Sequence, residues 1–171
     1  IYESAIINEY LDEVFPKPPL MPGDPAGRAE ARIWIDFCDN RFVITFYKLL
    51  LEQDNDKQNK YRERMLDHLR FLETEALSGV HGSGPYWRGK AFSLVDVSFA
   101  SFFERFVALE HYRDLVIPPQ CTRLCAWIVA LAERESVKQT AHSRDYFIKR
   151  YASYADGTAG GVTAREMREK S

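Results

Sequence analysis

Glu3 and Ser4 are the first residues of this 171-residue chain whose types and placement offer binding chemistry. Ile6, Ile7, Tyr10, Leu11 and Val14 follow at helical spacing, so the pair stands at a helix N-terminus. Such an end presents free backbone N–H groups and the positive pole of the helix dipole to an anion. The Ser4 hydroxyl would add a donor, and the Glu3 carboxylate would accept from a cationic group. The plainer reading is that Ser4 is the N-cap and nothing more.

Arg105 is the second candidate. It is a lone cation in an apolar stretch that includes Val97, Phe99, Phe102, Phe103 and Phe106. Two readings stay open: a guanidinium facing a cleft, where it would steer an acidic ligand, or a buried ion pair with Asp96, Glu104 or Glu110. Phe102, Phe147 and Tyr154 are candidate walls of a ligand pocket, since such pockets are mostly apolar with a few polar groups. Aromatics at helical spacing are also ordinary core. Trp34, Phe37, Cys38 and Arg41 carry the same ambiguity.

Other residues lose their chemistry on inspection. Ser93 and Asp96 have the spacing of a capping box rather than of a catalytic hydroxyl and carboxylate. Cys121 and Cys125 lie four apart, which is not a CxxC redox pair, and with Cys38 they make an odd, small count that fits a reducing compartment. His68, His81, His111 and His142 are scattered, with no HExxH or His/Cys ligand cluster, so no metal site is expected.

The elements that must position these groups are all helical. Pro16, Pro18 and Pro19 end the first helix, and residues 16–23 read as a semi-rigid linker. Asp24-Pro25 restarts the chain with a cap and an N1 proline. A long helix from there to about Gln53 and a second over about 57–77 form a hairpin. Gly79 to Gly89 is a loop. Ser93 opens a helix that is apolar on nearly all sides and therefore central. Pro118-Pro119 starts the next helix, a last one is expected over about 136–154, and the tail from Asp156 reads as loose. The fold class is all-α, a bundle of five or more helices with no strand.

Lys+Arg number 23 against Asp+Glu 25, a net charge of -2, so no field attracts nucleic acid or an anionic membrane. No apolar run approaches the roughly 20 residues of a membrane span. A cytoplasmic protein is expected.

Several separated blocks together resemble one family. Tyr2-Glu3-Ser4-Ala5-Ile6 with Glu9-Tyr10-Leu11-Asp12-Glu13, the box from Ser93 to Asp96, Phe103-Glu104-Arg105, and Phe147 with Tyr154 seven residues on resemble the glutathione transferases, the omega class most closely. The resemblance covers about residues 1–155. It implies that residues 1–15 are the last helix of a thioredoxin-like domain, 16–23 a linker, 24–155 the C-terminal helical domain and 156–171 a flexible tail. It further implies that Glu3 and Ser4 bind the γ-glutamyl end of glutathione or a related thiol, and that Phe102, Arg105, Phe147, Tyr154 and Trp34 border the second substrate. The nucleophilic cysteine of that class belongs to the thioredoxin-like segment, which this chain lacks. The chain alone is thus expected to be inactive, its parent a thioltransferase, dehydroascorbate reductase or remover of glutathione from adducts. A homo-oligomer, as in dimeric transferases, is expected because an uncovered apolar face invites self-association. A non-catalytic assembly domain of the same type is the alternative.

Overall fold

The computed structural model describes residues 1–77 and 82–169. Helix α1 (Ser4–Val14) stands first, and α2 (Pro25–Phe37) begins the bundle. Asp24 caps α2 by accepting from the Gly27 N–H at 2.7 Å, with Pro25 at the first helical position. The predicted long helix is present with one modification: a π-helical turn over Cys38–Phe42 joins α2 to α3 (Val43–Leu51). The buried stripe of Ala31, Ile35, Cys38, Phe42, Phe46 and Leu49 runs through that turn uninterrupted.

Asp54 caps α4 (Asn55–Phe71), accepting from the Lys57 N–H at 3.0 Å. A second π turn, Leu72–Ala76, follows α4. Gly79 and His81 lie outside the described residues. Helix α5 (Leu94–Arg105) packs against α1, α2 and α7 (Thr122–Glu133), the central position its apolar character predicts. Phe42, Phe99, Phe103 and Trp127 meet there edge-on, tilted or stacked, with centroids 5.3–5.8 Å apart. The N-terminus of α7 is capped from a distance. Its Cys121 supplies no side-chain cap, and the Glu73 carboxylate accepts from the N–H groups of Arg123 and Leu124 at 3.1 and 2.7 Å.

The C-terminal part departs from expectation. In place of one helix over 136–154 there are a single turn, α8 (Glu135–Lys138), and α9 (Arg144–Ala155), capped by Ser143; a further short helix, α6 (Val107–Arg113), stands between α5 and α7. The region read as a loose tail carries α10 (Val162–Glu169). Ala164 of α10 is buried in a small cluster with Leu51 and Ala159, and that contact overrides the tail's polar composition. No strand occurs among the described residues, only isolated bridges at Tyr86–Gly89 and Arg88–Ala91.

Candidate functional site

Two features make up the candidate site. The first is the start of α1. Ser4 is the first helical residue rather than the cap, which corrects the sequence expectation; Glu3 takes the cap position with φ 69° and ψ 118° and no side-chain cap bond. A left-sided φ at a glutamate is costly, about 1–3 kcal/mol, and such residues gather at ligand clamps. The first N–H groups of α1 are therefore open, with the exposed Ser4 hydroxyl and Glu3 carboxylate beside them.

Helix α1 buries none of its residues, yet polar ties fix it. Arg32 of α2 donates to both Glu9 oxygens at 3.0 and 2.8 Å, and this pairing holds the Glu9 carboxyl below its usual range. Asp12 accepts from the N–H groups of Leu20 and Met21 at 2.6 and 3.1 Å, pinning the linker to the helix. Asp39 lies on the π turn. Burial, then Asp36, then Glu3, raise its carboxyl above the ordinary 3.8.

That raised value has a definite consequence. A carboxyl held above its unfolded value contributes stability below that unfolded value and loses it as pH rises through the folded one. Asp39→Asn should therefore melt higher than the parent at pH 7, with the gap closing toward pH 4. Thermal melts across that interval check this, and equal melting temperatures at pH 7 would refute it.

The second feature is a cleft of about 420 Å³ between α3, α5, α9 and the start of α10. Arg105, Phe147 and Tyr154 all line it. Phe102 backs the site rather than lining it, its ring 4.9 Å beneath the Arg105 guanidinium and 6.1 Å from that of Phe46. Trp34 is not brought there. It is buried against Phe37 and Phe71, at 5.7 and 5.5 Å. The buried-pair alternative for Arg105 finds no partner among the described residues. Asp96 is spent on capping, Glu110 pairs with Arg144 at 2.7 Å, and Glu104 accepts from the backbone N–H of His142.

Tyr47 and Tyr151 also reach this cleft, their hydroxyls 3.4 Å apart, and burial pushes the Tyr151 phenol far above its usual range. The sequence reading missed both. Tyr151 was accessible to it: residues 147, 151 and 154 lie on one helical face, at i, i+4 and i+7. Tyr47 comes from a helix about a hundred residues earlier, and its convergence has no local signal.

Two of the three cysteines are poor nucleophiles, and the third, Cys125, is half-exposed on α7 and does not line the cleft. Cys38 is fully buried and its thiol pushed well above the usual range by burial; Cys121 is buried and raised likewise. Among the described residues no group of His, Cys, Asp and Glu is arranged to hold a metal, and no helix is long and apolar enough to cross a membrane.

Residues 31–130 match the family described as glutathione S-transferase, C-terminal domain. Glutathione S-transferase U25 of Arabidopsis thaliana is 33% identical over 150 residues, 87% of this chain and 65% of that protein. The chain spans less than two thirds of the length of this and other curated relatives it matches. Glutathione transferase Omega 3C of Trametes versicolor is 32% identical and superposes with a TM-score of 0.79 over 94% of this chain and 67% of that one. The Tau-class transferase of mango, Mangifera indica, superposes at 0.81 over 93% of this chain and 71% of that one, at 22% identity, a likeness of fold alone.

Proposed function

This chain belongs to the glutathione S-transferase C-terminal domain family, and on that premise we propose that it forms the second-substrate side of a glutathione transferase, with α1 completing the thiol site. The observation that carries the reading is the convergence of Arg105, Phe147 and Tyr154 on one cleft, together with an uncapped α1 start. In this reading residues 1–15 are the last helix of a thioredoxin-like domain, 16–23 its linker and 24–155 the helical domain, to which α10 adds a wall.

The open N–H groups of α1 and the Ser4 hydroxyl would hold the α-carboxylate of glutathione or a related thiol. Glu3 would accept from its ammonium. Thiol chemistry is assigned to residues outside this chain, because Cys38 and Cys121 are buried and no cysteine lines the cleft. The reaction class within the family, omega-like thiol transfer and reduction, is supported by the Omega 3C likeness, while the plant relatives, named glutathione S-transferases, keep S-transfer of glutathione as the second reading. The exposed Ile6, Tyr10, Leu11, Val14 and Phe15 of the α1 region support a covering layer or a homo-oligomer. Three free cysteines support a reducing, cytoplasmic setting.

The test is made on the natural protein, its intact mass and N-terminal sequence determined first. Ser4→Ala should weaken glutathione binding about tenfold by titration calorimetry, the value of one hydrogen bond to a charged group. Its melting temperature should hardly move. Unchanged affinity, or no glutathione binding by the parent, would overturn the reading in favour of an assembly domain.

A further inference from the structure

We propose that the cleft between α3, α5 and α9 selects a second substrate bearing an anionic group, which docks on Arg105 and Arg150. The inference rests on the transferase reading for its biological role, but not for the binding itself.

The cleft's chemistry departs from the mostly apolar lining usual in small-molecule pockets. Ser101, Glu104, Arg105, Thr140, His142 and Arg150 all contribute to it. Two guanidinium groups are set against one carboxylate, and that carboxylate, Glu104, already accepts the His142 N–H. Neither Arg105 nor Arg150 has an acidic partner among the described residues; the arginines that do are Arg32, Arg70, Arg88 and Arg144. Arg105 is half-buried, so its charge is only partly solvated. Its guanidinium lies over the Phe102 ring at 4.9 Å, which fixes the plane of the fork without consuming its N–H donors. A planar fork with free donors recognises carboxylate or phosphate oxygens. Tyr146, exposed, and Tyr154, half-buried, on the adjoining helix offer aromatic surface to the body of the same ligand, with Phe147 buried behind them. A neutral apolar electrophile would have to cover two unpaired cations, which costs binding free energy.

The experiment needs no catalysis. This chain is titrated by NMR with 1-naphthoate and with its neutral isostere, 1-naphthamide. The expected result is about tenfold tighter binding of the carboxylate, the value of a charge-assisted hydrogen bond. Arg105→Gln should remove most of that preference while leaving the amide's affinity unchanged; Arg150→Gln should remove a smaller part. A preference that survives Arg105→Gln, equal affinities, or no binding of either probe would overturn the proposal. If the natural protein fails to bind glutathione while the naphthoate preference and its loss in Arg105→Gln persist, the transferase reading falls and the anion site stands.

Discussion

Asp96→Ala is expected to lower the melting temperature by about 10 °C or more. The side chain is completely buried and holds four donors at once. One oxygen accepts from the Trp87 N–H at 2.9 Å and the Trp127 indole N–H at 2.7 Å; the other accepts from the Ser93 N–H at 2.8 Å and the Ser93 hydroxyl at 2.7 Å. The capping box read from Ser93 and Asp96 is therefore only half of its work. The other half joins the loop before α5 to the middle of α7. Alanine would strand three buried N–H groups, each costing about 1–3 kcal/mol. A total of about 3–5 kcal/mol corresponds to roughly 10 °C for a chain of this size. That exceeds the roughly 0.5–2 kcal/mol of an ordinary helix cap. Burial raises the Asp96 carboxyl while its four donors lower it, and burial is the larger influence. Asp96→Asn keeps the shape and an acceptor oxygen, so it should lose less. An unchanged melting temperature in Asp96→Ala would refute this account.

Arg113→Met should be comparably damaging, by about 3–4 kcal/mol, for a different reason. Arg113 is buried and donates only to backbone carbonyls: Leu49, Leu50 and Glu52 at the end of α3, Ala155 at the end of α9, and Tyr112. The last carbonyls of a helix lack intrahelical partners, and one guanidinium fork here satisfies those of two helices. Burial, with Arg62 nearby, draws its pKa below the usual guanidinium value. Methionine fills the volume but leaves several buried acceptors without donors, each worth about 1–3 kcal/mol. Lysine should recover little, because one ammonium cannot span both helix ends. Hydrogen exchange would localise the effect: faster exchange at the end of α9 and in α10, which packs on Leu51, with α7 unaffected. Uniform acceleration across the chain would contradict a clamp at that corner.

Neither role was legible in full. Asp96 was readable as a cap because its partner Ser93 is three residues away, and local geometry follows from local sequence. Its bond to Trp127 spans 31 residues and has no such signature. Arg113 gave no signal at all, since its partners are carbonyls, which every residue carries. Arg105 was recognised as an isolated cation, but the choice between ion pair and open cleft depended on where Asp96, Glu104 and Glu110 spend their charges.

The sequence by itself determined the all-helical class, the Asp24-Pro25 start of α2, the capping box of α5, the central placement of that helix and the family blocks. Each of these depends on residues within one or two turns of one another, where backbone geometry leaves few choices. Only the tertiary structure decided that Glu3 rather than Ser4 stands at the α1 cap, that Trp34 lies away from the cleft, that Tyr47 joins Tyr151 within it, and that α10 folds onto α3. Those outcomes depend on which apolar surfaces and charges are brought together from distant parts of the chain. Burial against a neighbour outweighs local propensity there, so no short window of sequence contains the answer.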